Sequence, residues 1–214
     1  MTLATDRPLV QDLQRFTLKD YLNYNDGADT RYELVNGELI PMSLGTGEHG
    51  EISEFINELI KEAIKTMGLP WTSKDMKLGV QSPRGNRWDT VRIPDIVVLP
   101  TAQWDQLKKK EAVIRLNEPF PLLVIEVVSP STASDDYRAK RSEYAVLDIP
   151  EYWIIDPIKG RVTVCTLVEG AYDDQVFQGE SIMVSPTFPS IDLTADQILS
   201  ANRSGDSKIE ESNV

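Results

Sequence analysis

Hydrophobic positions along this chain change their period several times, and each change marks an element. Thr17 to Leu22 opens on a threonine followed three residues later by Asp20, which predicts a short capped helix. Arg31 to Met42 carries Asn36-Gly37 at its centre, the strongest two-residue turn signal, so a β-hairpin is expected there. The spacing then lengthens. Ile52, Phe55, Ile56, Leu59, Ala63, Ile64 and Met67 recur at every third or fourth position, predicting a helix with one apolar stripe that Gly68-Leu69-Pro70 ends.

Strands are expected over 72–80, 88–99 and 121–128, with a short helix over 102–110 between the last two. A polar link, Ser129 to Ser134, leads into a helix over 135–147, and Glu151 to Ile155 forms the next strand, stopped by Asp156-Pro157. Such a strand-helix-strand unit sets its two strands in parallel with the helix over one face. Arg161 to Val168, Ala171 to Gln178 and Ser181 to Val184 read as hairpin strands at the sheet edge. The fold class is α/β (α+β): a mixed β-sheet flanked by helices, with additional β-hairpins. One domain is expected over 15–203, after an N-terminal extension at 1–14 and before a polar, disordered tail from 204.

Composition narrows the picture. At 214 residues and 41% hydrophobic, the chain fits one globular domain with a sizeable core. Met1 to Val10 lacks the apolar stretch of a secretion signal, and nothing approaches the roughly eighteen apolar residues of a membrane span, so a soluble cytoplasmic protein is expected. Cys165, the single cysteine, lies in a strand-like run and reads as a core residue. A net charge of −12 and a pI near 4.6 oppose any grip on phosphates by bulk electrostatics. Charge is local, however: between Lys74 and Arg92, five basic residues face Asp75 and Asp89. That segment is either a solvated loop and hairpin or a phosphate-facing patch.

The apolar run Leu122 to Val128 is interrupted once, by Glu126. An unpaired ion taken into an interior costs several kcal/mol, so this carboxylate needs a partner. Asp95 opens a similar run, Ile93 to Leu99, and follows Pro94, which belongs at a strand start or edge. Two carboxylates on neighbouring strands suit a hard divalent metal; an Asp in such a place is also an ordinary turn or surface acid. Lys140 follows Asp136 by four residues and precedes Tyr144 by four, which stacks the three on one helix face. It is either a surface pair or, because the crossover helix packs beside the Glu126 strand, an ammonium reaching the site.

These segments resemble a known family. Ile93-Pro94-Asp95, then Val124 to Thr132, then Asp136, Lys140 and Tyr144, and finally Pro150 to Pro157 look like the Uma-two family (domain of unknown function 820), restriction-endonuclease-like proteins of bacteria. The resemblance takes in Arg31 to Glu38 and His49, and covers about residues 15–195. It implies the PD-(D/E)XK nuclease superfamily, a restriction endonuclease-like fold whose metal site uses an Asp and a Glu from adjacent strands. Asp95 and Glu126 match those positions. The lysine that the superfamily carries two residues after the Glu is here Val128, which leaves Lys140 as its substitute. Glu33 resembles the extra acidic residue that many such nucleases supply from an N-terminal element, and is otherwise a hairpin-surface acid. His49 and Tyr144 are the candidate substrate-proximal residues.

What the resemblance implies is a metal-dependent nuclease. Asp95 and Glu126 would hold Mg²⁺ (or Mn²⁺), Lys140 and Glu33 would complete the catalytic set, and the substrate would be nucleic acid, with DNA expected ahead of RNA. A homodimer is expected by analogy, and no membrane partner. The competing reading is a non-catalytic regulatory or protein-interaction module that retains the nuclease fold, which the acidic surface favours.

Overall fold

The computed structural model describes residues 15–28, 30–43, 45–84 and 87–202. The expected extension at 1–14 and tail from 204 lie outside them. The first helix, α1 (Leu18–Leu22), is closed by a reciprocal capping box: the Asp20 amide donates to the Thr17 hydroxyl, and the Thr17 amide donates to the Asp20 carboxylate. β1 (Tyr32–Val35) and β2 (Glu38–Pro41) form the expected hairpin, with Asn36 and Gly37 both at positive φ. α2 (Gly47–Thr66) starts at Thr46, whose hydroxyl accepts from the His49 amide, and stops before Gly68 at φ +63°.

Beyond α2, two expected strands prove to be broken. The run over 72–80 divides into β3 (Trp71–Asp75) and β4 (Gly79–Gln81), and that over 88–99 into β5 (Val91–Arg92) and β6 (Ile96–Pro100). The halves belong to different sheets. Met76, at φ +42°, turns the chain at the first break, and Pro94, with no amide to donate, lies at the second. There follow α3 (Thr101–Leu107), the short β7 (Val113–Ile114) and β8 (Leu123–Val127). The crossover helix begins as a π-helical segment, Asp135–Lys140, and continues as α4 (Arg141–Val146) before β9 (Glu151–Asp156). β10 (Arg161–Val168) and β11 (Ala171–Phe177) form a hairpin, and α5 (Ala195–Leu199) ends the described chain. Ser181 to Val184 is not a strand; it contributes only an isolated bridge from Ile182 to Thr194.

The main sheet is mixed, in the order β11-β10-β9-β8-β6-β3, with β8 and β9 parallel as the crossover requires. A smaller sheet runs β2-β1-β5-β4-β7. Alternation along β8 assigns its two faces. Leu123, Ile125 and Val127 pack with Ile52, Ile56 and Ile60 of α2, whereas Val124 and Val128 pack with Tyr144 and Ala145 of α4. Glu126 therefore points toward the crossover helix. Cys165 is buried in that second cluster, as its run implied. Among the described residues, no helix is long and apolar enough to cross a membrane.

Candidate active site

The break between β5 and β6 carries Asp95 from one sheet to the other. Because β6 and β8 are antiparallel with Ile96 opposite Ile125, one further step sets Asp95 beside Glu126. The Asp95 carboxylate is clamped there. Its Oδ2 accepts a 2.7 Å hydrogen bond from the Val127 amide and lies 3.3 Å from His49 Nε2. Gly45 leaves room for that imidazole, since a Cβ in its place would meet His49 Nδ1 at 2.9 Å. The hydrogen bond to Asp95 raises the His49 pKa, partly opposed by burial.

Glu126 is only 3% exposed, and both of its oxygens are engaged. Tyr144 donates to Oε1 at 3.0 Å, and the Lys140 ammonium lies 2.8 Å from Oε2. The same ammonium lies 2.9 Å from Asp136 Oδ1. Lys140 is itself 5% exposed, so the helix face predicted from the four-residue spacing points inward and carries no surface pair. Its first turns are π-helical, a geometry found in short pieces and frequently at functional sites.

Electrostatics in this hollow favour added positive charge. Burial pushes the Glu126 carboxyl well above the ordinary carboxylate range; Lys140 pulls it down, while Asp95 and Asp136 push it further up. Burial likewise raises Asp136, with Lys140 opposing and Asp95 adding to the shift. For Lys140 burial acts downward, but the Glu126 and Asp136 charges outweigh it and the net shift is upward. Asp136 is fully buried, and no donor meets hydrogen-bond geometry at either of its oxygens. Among the described residues, no three acidic, histidine or cysteine side chains are already gathered into a metal cage. The chemistry of the donors nevertheless fits a hard divalent cation: they are carboxylate oxygens, buried and sharing a single ammonium.

Glu33 lies near enough to Lys140 for its charge to help raise that lysine's pKa. Its Oε2 accepts from Arg92 at 3.0 Å, and its Oε1 accepts from the Ile93 amide at 2.9 Å, two residues before Asp95. It fastens the break in the chain. Arg92, 1% exposed, also grips Glu143 through two hydrogen bonds of 2.8 and 3.1 Å and reaches Asp135 at 3.3 Å. This arginine ties β5, the hairpin and the crossover helix into one frame around the hollow. Nothing in the sequence pairs Arg92 with Glu143; the one available signal is that Arg92 immediately precedes the Ile93-Pro94-Asp95 motif. Tyr144 is wholly buried, and its hydroxyl donates to Glu126.

The basic segment from Lys74 to Arg92 is largely neutralised from within. Lys77 pairs with Asp75, Arg87 with Asp89, Arg84 with Glu143 and Asp135, and Lys74 lies 4.8 Å from the centre of the Trp104 ring. Arg92 is buried as described. The segment does not form an open stripe of phosphate-facing charge.

A family model described as Uma2, "Putative restriction endonuclease", matches residues 18–196. In the solved structures, the chain resembles one from Anabaena variabilis described as a "putative nuclease belonging to DUF820", with a TM-score of 0.68 and 19% identity, covering 87% of this chain and 98% of that one. That likeness is one of fold. No curated protein matches.

Proposed function

This chain belongs to the Uma2 family, and from that premise we propose that it hydrolyses phosphodiester bonds in nucleic acid, DNA in the first instance, with a divalent cation. What supports the reading is that Asp95 stands one step beyond the Ile96–Ile125 pair, beside Glu126 on the adjoining strand, while Lys140 of the helix that crosses between β8 and β9 lies 2.8 Å from Glu126. Asp95 and Glu126 would hold Mg²⁺ or Mn²⁺, which when bound supplies polarisation of a phosphoryl oxygen and acidification of water. Lys140 stays protonated across neutral pH because its neighbours raise its pKa, so it serves as a fixed positive charge and hydrogen-bond donor and not as a base. At about 4 Å and an effective dielectric near 20, one such charge is worth on the order of 4 kcal/mol to a developing phosphoryl anion. Tyr144 holds Glu126 in orientation, and His49 does the same for Asp95 from the N-terminal turn of α2.

A nucleic acid must approach a protein of net charge −12, so its contacts have to be local. Beside the break lies a depression of about 360 Å³ lined by Tyr21, Arg31, Met76, Lys77 and Ile93. Arg31 and Lys77 are exposed there and could meet backbone phosphates flanking the scissile one. The net charge and the internal pairing of the basic segment favour a second reading, a regulatory module that keeps the fold without the chemistry. One experiment separates them. The protein is incubated with a pool of single- and double-stranded DNA and RNA in Mg²⁺ or Mn²⁺, beside Glu126→Ala and a chelator control. Cleavage that needs both metal and Glu126 supports the nuclease; no cleavage, together with no binding heat from either metal, supports the module.

A further inference from the structure

Asp136 has a setting that a helix-surface acid would not have. Its side chain is fully buried, and neither oxygen receives a hydrogen bond of ordinary geometry. A buried carboxylate held chiefly by one shared ammonium is expensive to keep, and hydrophobic packing would serve the core better. The helix could have turned it outward. Instead the π-helical segment aims it at the ammonium that also contacts Glu126, so the oxygens bridged by Lys140 lie within two hydrogen-bond lengths of each other. Metal-to-oxygen distances for Mg²⁺ and Ca²⁺ are about 2.0–2.6 Å, shorter than these contacts, so a cation in place of the ammonium would draw the two carboxylates closer together.

We propose that Asp136 is the third carboxylate of the cation site, and that in the metal-free protein the Lys140 ammonium stands in for the cation between Glu126 and Asp136. This rests on the metal-dependent reading above and extends it. Binding of a divalent cation then requires the ammonium to withdraw from between the two carboxylates, which leaves Lys140 beside the site and free to face a phosphate. The arrangement accounts for two facts together: a lysine is buried between two acids, and both of those acids are themselves buried.

The test reads metal binding and not turnover. Mn²⁺ is titrated calorimetrically into the full-length wild type, Asp136→Asn and Lys140→Gln, with the melting temperature of each recorded without metal. Asp136→Asn should weaken Mn²⁺ binding by about tenfold or more, whereas Lys140→Gln should tighten it, because the stand-in charge has gone. A role confined to packing would lower the Asp136→Asn melting temperature and leave its Mn²⁺ affinity within about twofold of the wild type; that result overturns the proposal, as does weaker or unchanged binding by Lys140→Gln. If Asp136→Asn does not fold, the Lys140→Gln measurement decides alone. A wild type that binds no Mn²⁺ sinks both this proposal and the metal-dependent reading, whereas binding that is indifferent to Asp136 sinks this one only.

Discussion

Replacing Lys140 by methionine removes one charge from a buried triad while keeping most of the volume of the lysine stem. In the metal-free protein that ammonium contacts Glu126 at 2.8 Å and Asp136 at 2.9 Å. Taking one partner from a buried ion pair costs about 3–5 kcal/mol, because a buried charge is left uncompensated, and here two carboxylates lose the same counter-charge. Protonation limits the damage. Burial already holds both carboxyls above the ordinary range, and without Lys140 both rise further. A carboxyl with a folded-state pKa above its unfolded value binds more protons folded than unfolded between the two. Its folding stability is therefore full below the unfolded value and falls as pH rises through the folded one, by at most about 1.4 kcal/mol per pH unit for each group. The methionine variant should trail the wild type by about 3–5 kcal/mol near pH 8 and by a clearly smaller margin near pH 5. Urea melts in a chelating buffer at the two pH values measure both margins. A deficit below about 1 kcal/mol near pH 8, or one of equal size at both pH values, refutes the buried-triad account.

Glu126→Gln keeps the shape of the site but halves its strand-borne charge, and should lower metal-dependent cleavage by about a thousandfold, read by single-turnover assay; retention of a tenth of the activity would remove Glu126 from the chemistry. Tyr144→Phe deletes one hydrogen bond to a carboxylate, worth about 1.5–3 kcal/mol, and should lower kcat about tenfold or more with KM little changed; a rise in KM alone would contradict its orienting role. Arg92→Met leaves Glu143 and Glu33 without their shared counter-ion and should cost about 3–5 kcal/mol of stability by denaturant melting, and an unchanged midpoint would count against the arginine frame. The Arg31→Ala, Lys77→Ala pair should reduce the salt dependence of DNA binding by about one to two in log–log slope, and an unaltered slope would place the phosphates elsewhere.

Some of this site was legible before any coordinates, and the reason is burial. A carboxylate inside the run Leu122 to Val128 has nowhere to go but inward, so Glu126 announced itself, and the four-residue spacing of Asp136, Lys140 and Tyr144 named the helix face that would meet it. Other parts depend on contacts between distant residues. Arg92 and Glu143 stand 51 positions apart and each reads as an isolated surface charge until the fold joins them. The two broken strands look continuous because apolar residues lie on both sides of each break; only Pro94 marked the one that positions Asp95. The π-helical start of the crossover helix has no propensity signal at all. α5 carries in Thr194 and Gln197 the same kind of capping signal that marks the equally short α1, so the sequence did hold a sign of it.

On the nuclease reading proposed above, the same geometry gives a reason for a lysine on the helix. Residues two apart on a strand share a face, so Val128, where the superfamily pattern has lysine, projects to the side of β8 that Glu126 occupies. Val128 is 2% exposed and packed in the cluster that contains Tyr144 and Tyr152. An ammonium rooted there would have to share that apolar space with two tyrosine rings. Rooted at Lys140 on the covering helix, it reaches Glu126 Oε2 at 2.8 Å while the strand position stays apolar. What the chemistry needs is a positive charge at one point in space, and a strand covered by a crossover helix offers two places from which a side chain can deliver it. The helix position brings a consequence that the strand position lacks. Its neighbour one turn earlier, Asp136, arrives with it, so a lysine on the helix also brings a second carboxylate to the ammonium that meets Glu126.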